Sequence, residues 1–289
     1  MNKLLLLLLF VTNISMARDS NIIYYPFGTP ALTFVPYLKN DSIGILKPGN
    51  DGLNAANEVE QNPNSFLLFP SVMVTNSNDV LDIYDRPYTK LELIGRIGYN
   101  SSALVVSKKS PYNDINSLIN HYKNSNDRLK IGEQGPTCNL VRHWFLDTHN
   151  IKVDCIRYKP GGVQYMADLM NGETNAAILF GPDIINQYNQ NKITIILKFT
   201  PSQAGILKEI PYADDFRYPI LLYTSKNTDQ NVKNNMIQAL SDITYLNKMK
   251  EIEDSTLMNF STSFNLVDIL KEQNEKYIKY KSYLKKEKN

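Results

Sequence analysis

Short apolar runs alternate along this chain with stretches in which apolar residues recur every three or four positions. The runs fall at 21–27, 43–47, 65–70, 91–109, 129–133, 153–159, 175–180, 192–199 and 218–226, and each predicts a strand. Helical spacing appears between them. "LNAANEVEQN" (53–62) predicts a helix, and "ALTFVPYL" (31–38) a weaker one interrupted by Pro36. Ile115, Leu118, Ile119 and Tyr122 form one apolar stripe, with Asn113 or Asp114 placed to cap it. Val141, Trp144, Phe145 and Thr148 form a second stripe, and Val163, Met166, Ala167 and Met170 a third, ending at Gly172. From Asn231 onward the pattern is mostly helical, with a Lys-rich end read as solvated.

Strands alternating with helices predict an α/β fold built on parallel sheets. A small-residue turn recurs where strand gives way to helix, at 27–30, 48–52, 132–137, 160–162 and 181–183. In open α/β sheets such turns lie at the carboxyl ends of the strands, where ligands bind. A helix amino end also presents unpaired N–H groups, which favour an anion. The two β-rich segments flanking 112–216 predict two passages between lobes, near 105–111 and 217–224. The expected division is 18–107 with 222–289 in one lobe and 108–221 in the other.

Composition narrows the function. The first residues read as a secretory signal: Lys3, an apolar stretch from Leu4 to Val11, and Ser15-Met16-Ala17 before the expected cut, so that 1–17 is removed and the mature chain starts at Arg18 in the periplasm. Loss of Lys3 lowers the formal net charge from +2 to +1. A chain so nearly neutral offers no electrostatic case for nucleic acid or a membrane surface. The spacing of Cys138 and Cys155 leaves a disulfide open without establishing one. Zinc spacings are absent, and His121, His143 and His149 read as surface or boundary residues; no metal or cofactor is expected. GxSxG, HExxH and P-loop motifs are also absent, so no enzyme is expected.

With these turns in order, the chain resembles the Bug-type periplasmic solute-binding receptors of tripartite tricarboxylate transporters over residues 21–285. The stretch from Ser110 to Ile178 carries most of the likeness: a helix, a strand ending at a Gly-containing loop ("IGEQGPT"), a helix, then a strand ending in "YKPGG" before another helix. "YYPFGTP", "KPGNDGLNAANEV" and "KEIPYADDF" match further family stretches. The sequence departs from the family in the first loop, which has no acid after Gly28, in Asn50-Asp51, and in Glu133-Gln134. The resemblance implies a type II-like fold with two α/β lobes joined by two crossing strands. It also implies a cleft that holds a small carboxylate through backbone amides and water.

On that basis the candidate ligand residues are Phe27, Gly28 and Thr29 in the first loop, Ser71 after the strand 65–70, Gly132, Gly135 and Thr137, Gly161 and Gly162, and Asp183. Each has a plainer reading. Gly161 and Gly162 make a tight turn; Thr137 caps its helix; Asp183 either accepts from a ligand amino group or, the favoured reading, caps the helix after it. Glu133 is read chiefly as solvent-exposed, and Trp144 as core. The expected ligand is a small organic anion: a di- or tricarboxylate, an amino acid or an aromatic acid. The expected partners are membrane transport subunits or a sensor kinase, with the chain a monomer. The alternatives are a sensor input domain, a binding protein for a glutamate-like or thiamine-precursor ligand, and, remotely, a thiol enzyme built on Cys138.

Overall fold

The computed structural model describes residues 22–25, 35, 42–49, 52–70, 90–99, 101–134, 137–159, 163–213, 216, 219–272 and 275. The proposed signal, its cut after Ala17 and nearly all of 31–38 lie outside these residues.

The described strands form two five-stranded sheets. The first contains β1 (Ile22–Tyr25), β2 (Ile43–Leu46), β3 (Ser65–Pro70), β4 (Leu91–Tyr99) and β10 (Pro219–Ser225), in the order β2-β1-β3-β10-β4. The second contains β5 (Ser102–Ser107), β6 (Leu129–Glu133), β7 (Val153–Arg157), β8 (Ala176–Phe180) and β9 (Ile193–Lys198), in the order β7-β6-β8-β5-β9. In each sheet the first three strands are parallel, the fourth runs antiparallel to them, and the fifth, antiparallel to the fourth, runs with the first three. The antiparallel neighbour of the parallel trio is β10 in one sheet and β5 in the other, the two strands that carry the chain from sheet to sheet.

The first passage therefore falls between Tyr99 and Ser102, ahead of the expected 105–111. Strand β5 stands in the second sheet, between β8 and β9, and not with the segment 18–107. One long β-rich run had concealed the change of sheet. Every residue of β5 is buried, and four of the five in β8 are. Strands covered on both faces read as continuous apolar runs, and the only mark of the break within 91–109 is the short polar stretch Asn100-Ser101-Ser102, too brief to divide one β-rich run by periodicity.

Helices cover the sheets. They are α1 (Leu53–Gln61), α2 (Ile115–Lys123), α3 (Thr137–His149), α4 (Gln164–Asn171), α5 (Gly181–Asn189), α6 (Gln230–Ser241), α7 (Ile243–Glu251) and the short α8 (Glu253–Thr256). Helix α2 follows the expected pattern: Ile115, Leu118 and Tyr122 are buried, and Asp114 and Ser117 form a reciprocal capping box. In α3, Val141 and Phe145 are buried as expected, while Trp144 is half-buried and packs edge-on against Phe145 and Phe216. His143 is also buried, at 5% exposure, which corrects its reading as a surface or boundary residue.

The chain after α8 departs from the expected helix. Residues 257–265 run back beside β4, where the Arg96 and Ser263 amides and carbonyls pair and the Tyr99 N–H donates to the Asn259 carbonyl at 2.8 Å. Two glycines in β4 make room for this strap. A Cβ on Gly98 would sit 2.4 Å from the Asn259 carbonyl oxygen, and one on Gly95 would sit 2.8 Å from that of Ser263. Arg96 fastens the strap further, donating to the Ser261 carbonyl and to Glu272 at 3.0 and 3.1 Å. Neither glycine carried a sequence signal, because backbone-to-backbone approach leaves no periodicity.

Cys138 in the first turn of α3 and Cys155 in β7 are disulfide-bonded, with their Cα atoms 5.8 Å apart. Pairing of β6 with β7 sets Ile131 opposite Cys155, and α3 folds back over the same strands, so the two thiols meet. The bridge removes the thiolate that the remote enzyme alternative needs.

Candidate functional site

Strands β6, β7 and β8 are parallel, so their carboxyl ends share one edge of the second sheet. Gln134, Tyr158 and the start of α5 lie along that edge. From that edge a cavity of about 450 Å³ runs between α4 and α5 as far as Lys192 ahead of β9, lined by Gln134, Val163, Tyr165, Met166, Met170, Asp183, Gln187 and Lys192 among others. Its walls explain a misfit in α4. The stripe Val163, Met166, Ala167, Met170 was expected to form one apolar face, but it is not the face that α4 buries. Instead Tyr165 and Leu169 are buried, Met166 and Met170 are half-buried, and Val163 is 87% exposed. Part of the apolar stripe faces the cavity, where soft methionine side chains suit an aliphatic ligand.

Aromatic rings and a carboxylate brace the floor of this cavity. The Tyr165 hydroxyl donates to the Ile178 carbonyl, tying α4 to β8. The Tyr158 hydroxyl donates to Asp168 at 2.5 Å, and the Gln164 amide donates to the same carboxylate. The Tyr158 and Tyr165 rings lie 5.5 Å apart, and burial raises the pKa of both phenols, so neither ionises near neutrality. Gly132 is buried inside β6 beneath these rings, where a Cβ would meet Tyr158 at 3.2 Å and Tyr165 at 3.4 Å. Its smallness serves that packing.

Glu133 overturns its expected exposure. It is 2% exposed, and its Oε2 accepts the Cys138 N–H at 2.7 Å. The backbone of Thr137 donates to it as well, and Arg157 lies close enough to favour its charge. Burial outweighs these effects and pushes its pKa up to about 8. The carboxyl group thus caps α3 from the end of the preceding strand. Thr137, expected as the cap, is fully buried with its hydroxyl unbonded.

Asp183 sits in the first turn of α5 and is exposed. Phe180 holds the N-cap position with no side-chain cap, and among the described residues no donor bonds Asp183. The capping role expected for Asp183 is therefore corrected, and its carboxylate faces the cavity. Partial desolvation raises its pKa. Phe27, Gly28, Thr29, Ser71, Gly135, Gly161 and Gly162 lie outside the described residues. Among the described residues no cluster of His, Cys, Asp and Glu is fit to hold a metal, and no helix is long and apolar enough to cross a membrane.

No protein-family model matches the sequence, and no curated protein matches it. Solved structures do match. The periplasmic binding protein BugD aligns with a TM-score of 0.68 at 17% identity, covering 93% of this chain and 97% of that one. Rpa4515 of R. palustris, solved with adipate, aligns at 0.71 and 14% identity, covering 93% and 97%. MatC of Rhodopseudomonas palustris, solved with bound malate, aligns at 0.66 and 11% identity, covering 91% and 98%. The chain has the fold of the two-lobed periplasmic binding proteins.

Proposed function

We propose that this protein is an extracytoplasmic solute-binding receptor of the Bug type, which captures a small organic carboxylate in a cleft between two lobes and delivers it to membrane transport subunits. The observation that carries this reading is the pair of five-stranded sheets, each a parallel trio flanked by a strand that arrives from the other sheet; the cavity between α4 and α5, with its half-buried methionines, Gln134, Asp183 and Lys192, belongs to the second lobe alone. A carbon chain bearing polar ends fits such a lining. The two lobes follow the two sheets, with hinges near residues 100–101 and 199–218. We read 1–17 as a secretory signal and assign the mature chain to the periplasm, as a monomer. The proteins of the same fold that were solved with adipate and malate support a carboxylate as the ligand class.

Gly161 and Gly162 precede α4, and we assign the helix end there as a carboxylate contact, together with Phe27, Gly28, Thr29 and Ser71 at the first sheet. Glycine lets backbone N–H groups approach an anion closely. A thermal-shift panel of di- and tricarboxylates, amino acids and aromatic acids tests the receptor reading. A cognate ligand at about 100 times its Kd adds about 2.7 kcal/mol of stability; no shift with any member rejects it. With the ligand in hand, Gly162→Val weakens binding far more than Lys159→Ala, since Lys159 is exposed beyond the end of β7. The reverse order assigns recognition to a lysine salt bridge.

A further inference from the structure

The amino end of α3 is one of the helix ends that the sequence offered to a ligand, and the chain itself already fills it. Glu133 ends β6, where its carbonyl accepts the Tyr158 N–H at 2.8 Å. Its side chain turns back and takes the Cys138 amide at 2.7 Å and the Thr137 amide beside it. The disulfide to β7 holds Cys138, and so the donor, in place. A helix end has only a few unpaired N–H groups, all within its first turn. A ligand carboxylate would have to evict a group that is 2% exposed and already bonded to two of them. The cavity lies next door, through Gln134 and Tyr165.

We propose that Glu133 determines specificity by occupying the α3 amino end with its own carboxyl group and so closing that end to a ligand carboxylate. This inference rests on the receptor reading above. A ligand then meets this turn through Gln134 and Tyr165, with no carboxylate against α3, and its acidic groups are left to the other strand ends. The occupant is chemically a carboxyl, so a free carboxylate should replace it once it is removed.

The test is chemical rescue in the full mature protein at pH 7. Glu133→Ala melts below wild type. Sodium formate raises the melting temperature of the variant saturably, by about 3 °C or more, while wild type and sodium chloride controls at equal ionic strength show no such rise. Adipate likewise stabilises the variant more than wild type. If neither formate nor adipate stabilises the variant beyond its effect on wild type, the proposal is overturned. Should Glu133→Ala fail to fold alone, refolding yield that rises with formate but not with chloride supports the proposal, and equal yield in both overturns it. The two readings fail separately: a wild type that binds no carboxylate removes the receptor function, yet formate rescue of the variant would still identify the role of Glu133.

Discussion

Two strand-to-helix turns on the same edge of the second sheet treat their acidic residues in opposite ways. At β6–α3 the acid lies before the helix, in the last strand position, and Glu133 reaches forward to bond the first-turn amides under cover. At β8–α5 the acid lies inside the helix. Asp183 is the third residue of α5, and it stands exposed with no hydrogen-bond partner among the described residues. The same kind of acid near the same kind of helix end is a buried cap in one case and an open group beside a cavity in the other. Glu133 lies four residues before the first residue of α3 and Asp183 two after the first residue of α5, and that placement decides which. The α3 turn is also stapled by Cys138–Cys155, and the α5 turn is held only by ordinary contacts such as the Gly181 N–H to the Ser101 carbonyl at 3.0 Å.

The staple offers the largest way to sharpen this contrast. The bridge spans a sequence separation of 17. Closing a loop of that length stabilises by about 3 kcal/mol in the chain-entropy account. Cys138→Ala with Cys155→Ala should lose about that much in denaturant unfolding, and reductant should destabilise wild type but not the double variant. Equal midpoints for wild type with and without reductant would show that the bridge contributes nothing.

The buried acid comes next. Its folded pKa, about 8, lies above the usual carboxylate value of 4.5. Between those values the folded state holds a proton that the unfolded state has lost, so stability falls as pH rises through the window. Below it, both states are protonated and there is no penalty. The charged and titratable groups that act with Glu133 are Arg157 of β7 and Tyr165 of α4, and the phenol stays neutral throughout. Each pKa unit corresponds to about 1.4 kcal/mol; with relaxation and water penetration we expect a loss of about 2 kcal/mol from pH 5 to pH 8. Glu133→Gln keeps an acceptor for the Cys138 amide and should flatten that part of the profile. Parallel pH profiles for wild type and variant would place the carboxyl in water after all.

Much of the fold was legible in the sequence, and the reasons differ by region. The helix α2 was readable to its cap, because a one-sided apolar stripe and a local Asp–Ser pair are both short-range signals. The strands were readable as apolar runs. The change of sheet after Tyr99 was passed over, since its only mark is the short polar stretch Asn100-Ser101-Ser102 and β5, buried on both faces, carries no alternation. The strap over Gly95 and Gly98 joins residues more than 150 positions apart, through backbone alone. At the site, the turns were found but their chemistry was misassigned. Whether Glu133 points out or back depends on where α3 starts relative to β6, a tertiary fact. The stripe on α4 was a true signal wrongly attributed: its apolar residues divide between the core and a cavity, and periodicity does not separate those two neighbours.

The smallest expected effect belongs to Asp183, and it is the sharpest check on the comparison. A side chain that accepts helix-end amides is worth about 1 kcal/mol, and Asp183 accepts none. What remains is its attraction to the α5 dipole, about 0.3–1 kcal/mol at an exposed position and weakened by salt. Asp183→Asn should therefore lower stability by no more than about 0.5 kcal/mol in ordinary buffer, and the difference should shrink further in added sodium chloride. Its effect on binding should run the other way. The carboxylate faces the cavity, so neutralising it removes a repulsion, and calorimetry with a carboxylate identified in the panel should show tighter binding to Asp183→Asn. Weaker binding would mean instead that Asp183 accepts from a donor on the ligand, which would move the ligand class toward amino acids. A stability loss of about 1 kcal/mol or more that persists in salt would make Asp183 a true cap, and the two turns would then be alike.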